Sequence, residues 1–146
     1  RNTMEVIELK YKSLIRLYTT LGKDIEAHNI VKKQHGIDEY VYDRSIASLV
    51  KHFELFYDLL WKYIREYIHL KYGIIQNSPR SVFHECLKQK ISSVDETNIL
   101  LAMIDSRNLS THVYDTDIAE EVSTAIPQYY STLSTLLSGI APDTLG

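Results

Sequence analysis

Residues 46–68, IASLVKHFELFYDLLWKYIREYI, place apolar side chains at Ile46, Leu49, Val50, Phe53, Phe56, Tyr57, Leu60, Ile64, Tyr67 and Ile68. Steps of three and four keep all of these on one side of a helix and would scatter them across both faces of a strand. The pattern predicts a long amphipathic helix from about Glu39 to near Gly73, a residue that can close a helix in the left-handed conformation. An apolar face of that length needs another surface to cover it. The fold it implies is helix packed on helix.

The flanking sequence offers the partners. Leu14, Leu17, Leu21 and Ile25 keep the same spacing and predict a first helix from roughly Thr3 to Lys33, ended before Gly36. Ser78-Pro79 is a start signal for a short helix from Pro79 to about Lys88, because proline lacks an N–H that would be unpaired in the first turn anyway. A fourth helix is expected from about Asp95 through Ile99, Leu100, Met103 and Ile104. A fifth is expected from around Thr116 with Ile118, Val122 and Ile126, kinked by Pro127 before Tyr130, Leu133 and Leu137. No segment alternates long enough for a strand, and no repeat is visible. The expected fold is therefore an all-α, up-and-down antiparallel bundle of about five helices. It forms one domain over residues 1–138, with 139–146 a flexible tail.

Composition narrows the function. The chain has 146 residues, 45% of them hydrophobic and 24% charged, the balance of one globular domain. A net charge of −3 is not the footprint of a protein that holds long duplex DNA by counterion release, so any RNA contact must be local. The single Cys86 cannot form an internal disulfide, which points to a reducing, cytoplasmic setting. No apolar run reaches the roughly 18 residues of a membrane span, and no secretory leader is visible. His52-Phe53-Glu54 has the H-x-E form of a zinc deaminase but lacks the P-C-x-x-C half, and the other histidines show no metal-ligand spacing. Gly-rich phosphate loops and G-x-S-x-G elbows are missing too, and neither a metal nor a cofactor is expected. Eleven tyrosines spread along the apolar stripes read as residues at the edge of the core.

The chemistry is concentrated in Arg107-Asn108-Leu109-Ser110-Thr111-His112-Val113-Tyr114, an R-x-x-x-x-H-x-Y segment at the end of the fourth helix. A permanently charged guanidinium can grip a phosphate, and an imidazole can move a proton at neutral pH. Together they suit phosphodiester cleavage without a metal, with Arg107 and His112 catalytic and Asn108 donating to a phosphate oxygen or fixing the imidazole. On an ideal helix, residues five apart point about 140° away from each other. Either the helix ends near Ser110 or the working site is built from two chains. The plainer alternatives are a helix-capping His112, favoured there by the helix dipole, and a packing Tyr114 with its hydroxyl in solvent.

This octet resembles the signature of HEPN proteins, and Tyr114 makes it similar to the HepT-like branch. Phe53-Glu54-Leu55-Phe56-Tyr57-Asp58-Leu59-Leu60-Trp61-Lys62 and Asn77-Ser78-Pro79-Arg80 resemble segments of the nucleotidyltransferase substrate-binding proteins, and the likeness runs from about Tyr40 to about Leu137. The family often has an acidic residue before the arginine, where this chain has Ser106, and a basic residue before the Phe-Glu pair, where it has His52. The resemblance implies a helical homodimer whose two motifs line one cleft. It also implies a toxin-like ribonuclease acting on RNA, with a minimal nucleotidyltransferase as its antitoxin. Tyr114 would then be the acceptor of AMP from that partner, which blocks the cleft. The same resemblance leaves open a non-catalytic substrate-binding subunit of a two-component nucleotidyltransferase. A structural bundle without activity is the third reading. The chain lacks the G-S and D-x-D pattern of the transferase itself.

Overall fold

The computed structural model describes all 146 residues, as five α-helices and no strand. They are α1 (Thr3–Lys33), α2 (Glu39–Tyr72), α3 (Pro79–Lys88), α4 (Val94–Leu109) and α5 (Thr116–Gly139). Each begins on a side chain that accepts from the first-turn N–H groups: Asn2, Asp38, Ser78, Ser93 and Asp115 respectively. Ser93 and Glu96 close a reciprocal capping box on α4. Gly73 ends α2 at φ 69°, the left-handed cap that the sequence suggests.

Every member of the α2 stripe is buried. Leu14 and Leu21 of α1 lie against it, together with Val122, Ile126, Leu133 and Leu137 of α5 and Leu100 and Met103 of α4. α5 runs unbroken through Pro127. Tyrosine hydroxyls sew the helices together at the edge of this core. Tyr11 donates to the Leu137 carbonyl at 2.8 Å, and Tyr18 to that of Tyr130 at 2.5 Å.

Pairings across the bundle fix the helix directions. α1 is antiparallel to α2, because Lys10 meets Glu66 while His28 meets Ser45. It is antiparallel to α5 as well, because Tyr11 meets Leu137 and Tyr18 meets Tyr130. α2 and α5 therefore run parallel: Tyr42 bonds to Glu120 and Tyr63 to Ile140, at separations of 78 and 77 residues. Strict up-and-down alternation of five helices would set α5 against α2. α3 has 10 residues and α2 has 34, so α3 spans about 15 Å of a helix about 51 Å long and is no full pass of the bundle. α4 makes the return, and α5 descends beside α2.

Where sequence suggests a loose tail after Ser138, the structure draws the chain back onto α2. Ile140 is fully buried and its carbonyl accepts from Tyr63 at 2.6 Å. A short 3-10 turn over Pro142–Leu145 follows, with Thr144 held by Tyr67 at 2.7 Å and by Lys71 at 3.1 Å. No helix is long and apolar enough to cross a membrane.

Candidate functional site

The R-x-x-x-x-H-x-Y segment straddles three local structures. Arg107 and Asn108 lie in the last turn of α4, Ser110–His112 form a 3-10 turn, and Asp115 is already the N-cap of α5. The α-helix gives way to a 3-10 turn at Ser110, yet no hydrogen bond joins Arg107 to His112. The Asp115 N–H bonds back to the His112 carbonyl at 3.0 Å, which closes the connection.

Arg107 faces α2 and is heavily engaged. Its Nη1 donates to Glu54 Oε2 at 2.8 Å and to Ser110 Oγ at 3.2 Å. Nε and Nη2 donate to the two oxygens of Asp58, both at 3.3 Å. Of the five N–H donors of a guanidinium, one is left over. Ser110 is buried, and its hydroxyl stands 2.5 Å from Glu54 Oε2, to which it donates. The Asp58 hydrogen bond, above all, raises the pKa of Arg107, with further help from the Asp58 and Glu54 charges. Tyr57, beside them, is pushed up to about 12, by burial first and Asp58 next, against the opposing charges of Arg107 and Arg80. Arg80 is exposed and forms no ion pair, and its charge reaches Tyr57.

His112 is exposed on the other side of the turn. Its Nδ1 lies 3.2 Å from the Tyr114 hydroxyl, and the rings meet edge-on with centroids 5.8 Å apart. The imidazole bonds to no carbonyl of α4, so it is not acting as that helix's cap. Tyr114 is 83% exposed. Within one chain, then, His112 and Tyr114 come together while Arg107 turns to α2, and no hydrogen bond joins the arginine to either. Asn108 is exposed and its side chain makes no hydrogen bond, while its backbone carbonyl accepts from Thr111 Oγ1 at 3.2 Å.

The two departures from the family pattern have local explanations. Ser106 is buried and pairs with the Tyr129 hydroxyl at 2.6 Å, a place where a carboxylate would be desolvated. His52 pairs with Asp24 of α1, which also accepts from Ser48 at 3.1 Å. Glu54 and Asp58 are the site residues that sequence reasoning passed over. Their signal was visible as two acids one turn apart within the α2 segment, but nothing local says which cation they meet. No group of three or more His, Cys, Asp or Glu side chains is placed to hold a metal ion.

Comparison with known proteins agrees with this architecture. A family described as nucleotidyltransferase substrate binding protein like matches residues 9–141. A crystal structure of a protein from Thermus thermophilus superposes with a TM-score of 0.64 at 20% identity, covering 82% of this chain and 98% of that one. At that identity the likeness concerns the fold. No curated protein matches.

Proposed function

Because the chain belongs to the nucleotidyltransferase substrate-binding-protein-like family, we propose that it is the helical partner of a minimal nucleotidyltransferase and, within that pair, a metal-independent endoribonuclease held in check by it. The observation that carries this reading is the pairing of an exposed imidazole, His112, with an exposed phenol, Tyr114, one turn beyond a clamped arginine. In the reaction, one imidazole takes the proton of a ribose 2′-hydroxyl as O2′ bonds to phosphorus. The P–O5′ bond breaks, and the leaving 5′-oxygen takes a proton from a second imidazolium. A homodimer with its motifs facing each other supplies that second imidazole and sets one protomer's Arg107 toward the phosphate addressed by the other's His112. Arg107 stabilises the charge on the phosphorane oxygens. It does so by exchanging its long bonds to Asp58 for the phosphate while Glu54 and Ser110 keep it in place. RNA is cut and DNA is spared, because the nucleophile is the 2′-hydroxyl. Asn108, exposed one residue on, donates to a phosphate oxygen.

Tyr114 serves as the regulatory acceptor. Its hydroxyl is open to a partner enzyme, and transfer of an AMP unit from ATP, with release of pyrophosphate, sets a negative phosphodiester beside His112. The competing reading, a non-catalytic subunit that presents a substrate to the transferase, is favoured by one feature: two carboxylates already hold most of the Arg107 donors.

RNA cleavage by purified protein in EDTA, with wild type beside Arg107→Ala and His112→Ala, decides between them. The expected result is 2′,3′-cyclic phosphate ends from wild type and from neither variant. Folded, dimeric protein unmodified at Tyr114 that cuts no RNA would leave the subunit reading.

A further inference from the structure

Beside Tyr114, between the first turns of α2 and α5, lies a cleft of about 250 Å³ that the chemistry above does not use. Its walls are apolar: Ile46 and Ala47 come from α2, and Val113 and Ala119 from the other side. Tyr42 and Tyr114 add aromatic surface. The charged groups on its rim are the carboxylates of Glu120 and Asp43, and Thr116 adds a hydroxyl. Tyr42 donates its hydroxyl to Glu120 Oε1, which orients the carboxylate and leaves Oε2 as an acceptor without a partner.

We propose that this cleft is a nucleobase subsite that takes the base next to the scissile phosphate and prefers bases carrying an exocyclic amine. The inference rests on the ribonuclease reading for its biological meaning, though its geometry is independent of it. Single-stranded RNA is read by splaying bases onto aromatic side chains and bonding their edges. The cleft opens beside His112 and Tyr114, where the sugar-phosphate of a bound strand must pass. Two carboxylates repel phosphate, so the backbone stays at the arginine side and a neutral base enters. The free Glu120 Oε2 suits the amine of adenine, cytosine or guanine. Uracil has no such amine, and the two carbonyls flanking its one N–H repel a carboxylate oxygen. The discrimination also gives the acidic surroundings of the motif a use: they select which part of the nucleotide enters.

The test is an NMR titration of the whole chain with adenosine and with uridine, nucleosides that carry no phosphate. Adenosine is expected to shift the resonances of Ala47, Val113 and Ala119, and to bind roughly tenfold more tightly than uridine, the value of one hydrogen bond to a charged acceptor. Glu120→Gln keeps the carbonyl that Tyr42 needs and converts the free oxygen to an NH2 donor. It is expected to remove or invert the preference. Equal response to both nucleosides, shifts elsewhere, or a preference unchanged in Glu120→Gln would overturn the proposal. Adenosine binding in a protein that cuts no RNA would leave the subsite standing and remove the ribonuclease. RNA cleavage with no response in the cleft would do the reverse.

Discussion

Glu54 and Asp58 both bond to Arg107, and the structure assigns them unequal work. Glu54 and Arg107 each keep 27% of their side-chain surface exposed and meet at 2.8 Å, with Ser110 donating to the same carboxylate oxygen. Asp58 is 42% exposed and its contacts are 3.3 Å long. Breaking a buried pair costs about 3–5 kcal/mol and breaking an exposed one about 0–1 kcal/mol. Glu54→Ala falls between, because Asp58 remains and solvent reaches the site, and is expected to cost about 2 kcal/mol. Asp58→Ala should cost at most about 0.5–1 kcal/mol. Urea denaturation measures both, with the slope unchanged if folding stays two-state. A double-mutant cycle with Arg107→Ala isolates the coupling, which for Glu54 should persist in high salt and for Asp58 should fade. On the proposed ribonuclease reading, Asp58→Asn is expected to lower KM with kcat little changed, since a neutral amide competes less with phosphate for Arg107. Equal losses for the two alanine variants, or no coupling of Glu54 to Arg107, would refute this division of labour.

Three further outcomes follow from packing. His28 is buried; its Nδ1 lies 2.7 Å from Ser45 Oγ, which itself donates to the Tyr42 carbonyl, and Nε2 has no partner. Burial, then the charge of Lys32, lowers its pKa, against a smaller opposing pull from Glu120. The neutral ring is favoured only in the folded state, so its stability contribution is full above the ordinary pKa of about 6.5 and is lost as pH falls below it. Melting temperature should drop from pH 7 to pH 5 in wild type, with a shallower slope in His28→Gln. Gly22→Ala would raise stability by about 1 kcal/mol on helix propensity alone. Here the new methyl would overlap the Tyr130 hydroxyl, on a ring stacked against Tyr18, so a loss of about 1–3 kcal/mol is expected in thermal unfolding, partly restored by Tyr130→Leu. Tyr63→Phe leaves the buried Ile140 carbonyl without its donor. It should cost about 1–3 kcal/mol and speed proteolysis after Gly139, and unchanged cleavage there would contradict the pinned tail.

How much of this was legible beforehand depends on the range of the interaction. Helix bounds came out almost as the sequence implied, since signals such as Ser78-Pro79 and Gly73 act within one turn of where they stand. The candidate site was legible only as residue types: Arg107, His112 and Tyr114 have side chains capable of anion binding and proton transfer. Their pairing was not. His112 meets Tyr114 two residues away, but Arg107 meets Glu54 across 53 residues, and no local pattern chooses between that partner and the acids at 105, 115 or 117.

By itself, then, the sequence determined an all-α chain, the ends of its helices and the presence of an Arg-His-Tyr segment where α4 stops. Periodicity, capping and side-chain chemistry are properties of neighbouring residues, and they survive without a fold. Only the tertiary structure decided that α5 runs parallel to α2, that the last residues return to Tyr63 and Tyr67, and that Arg107 is clamped while His112 stands free. Those choices turn on which surfaces of distant segments lie face to face, and that is settled only when the helices pack.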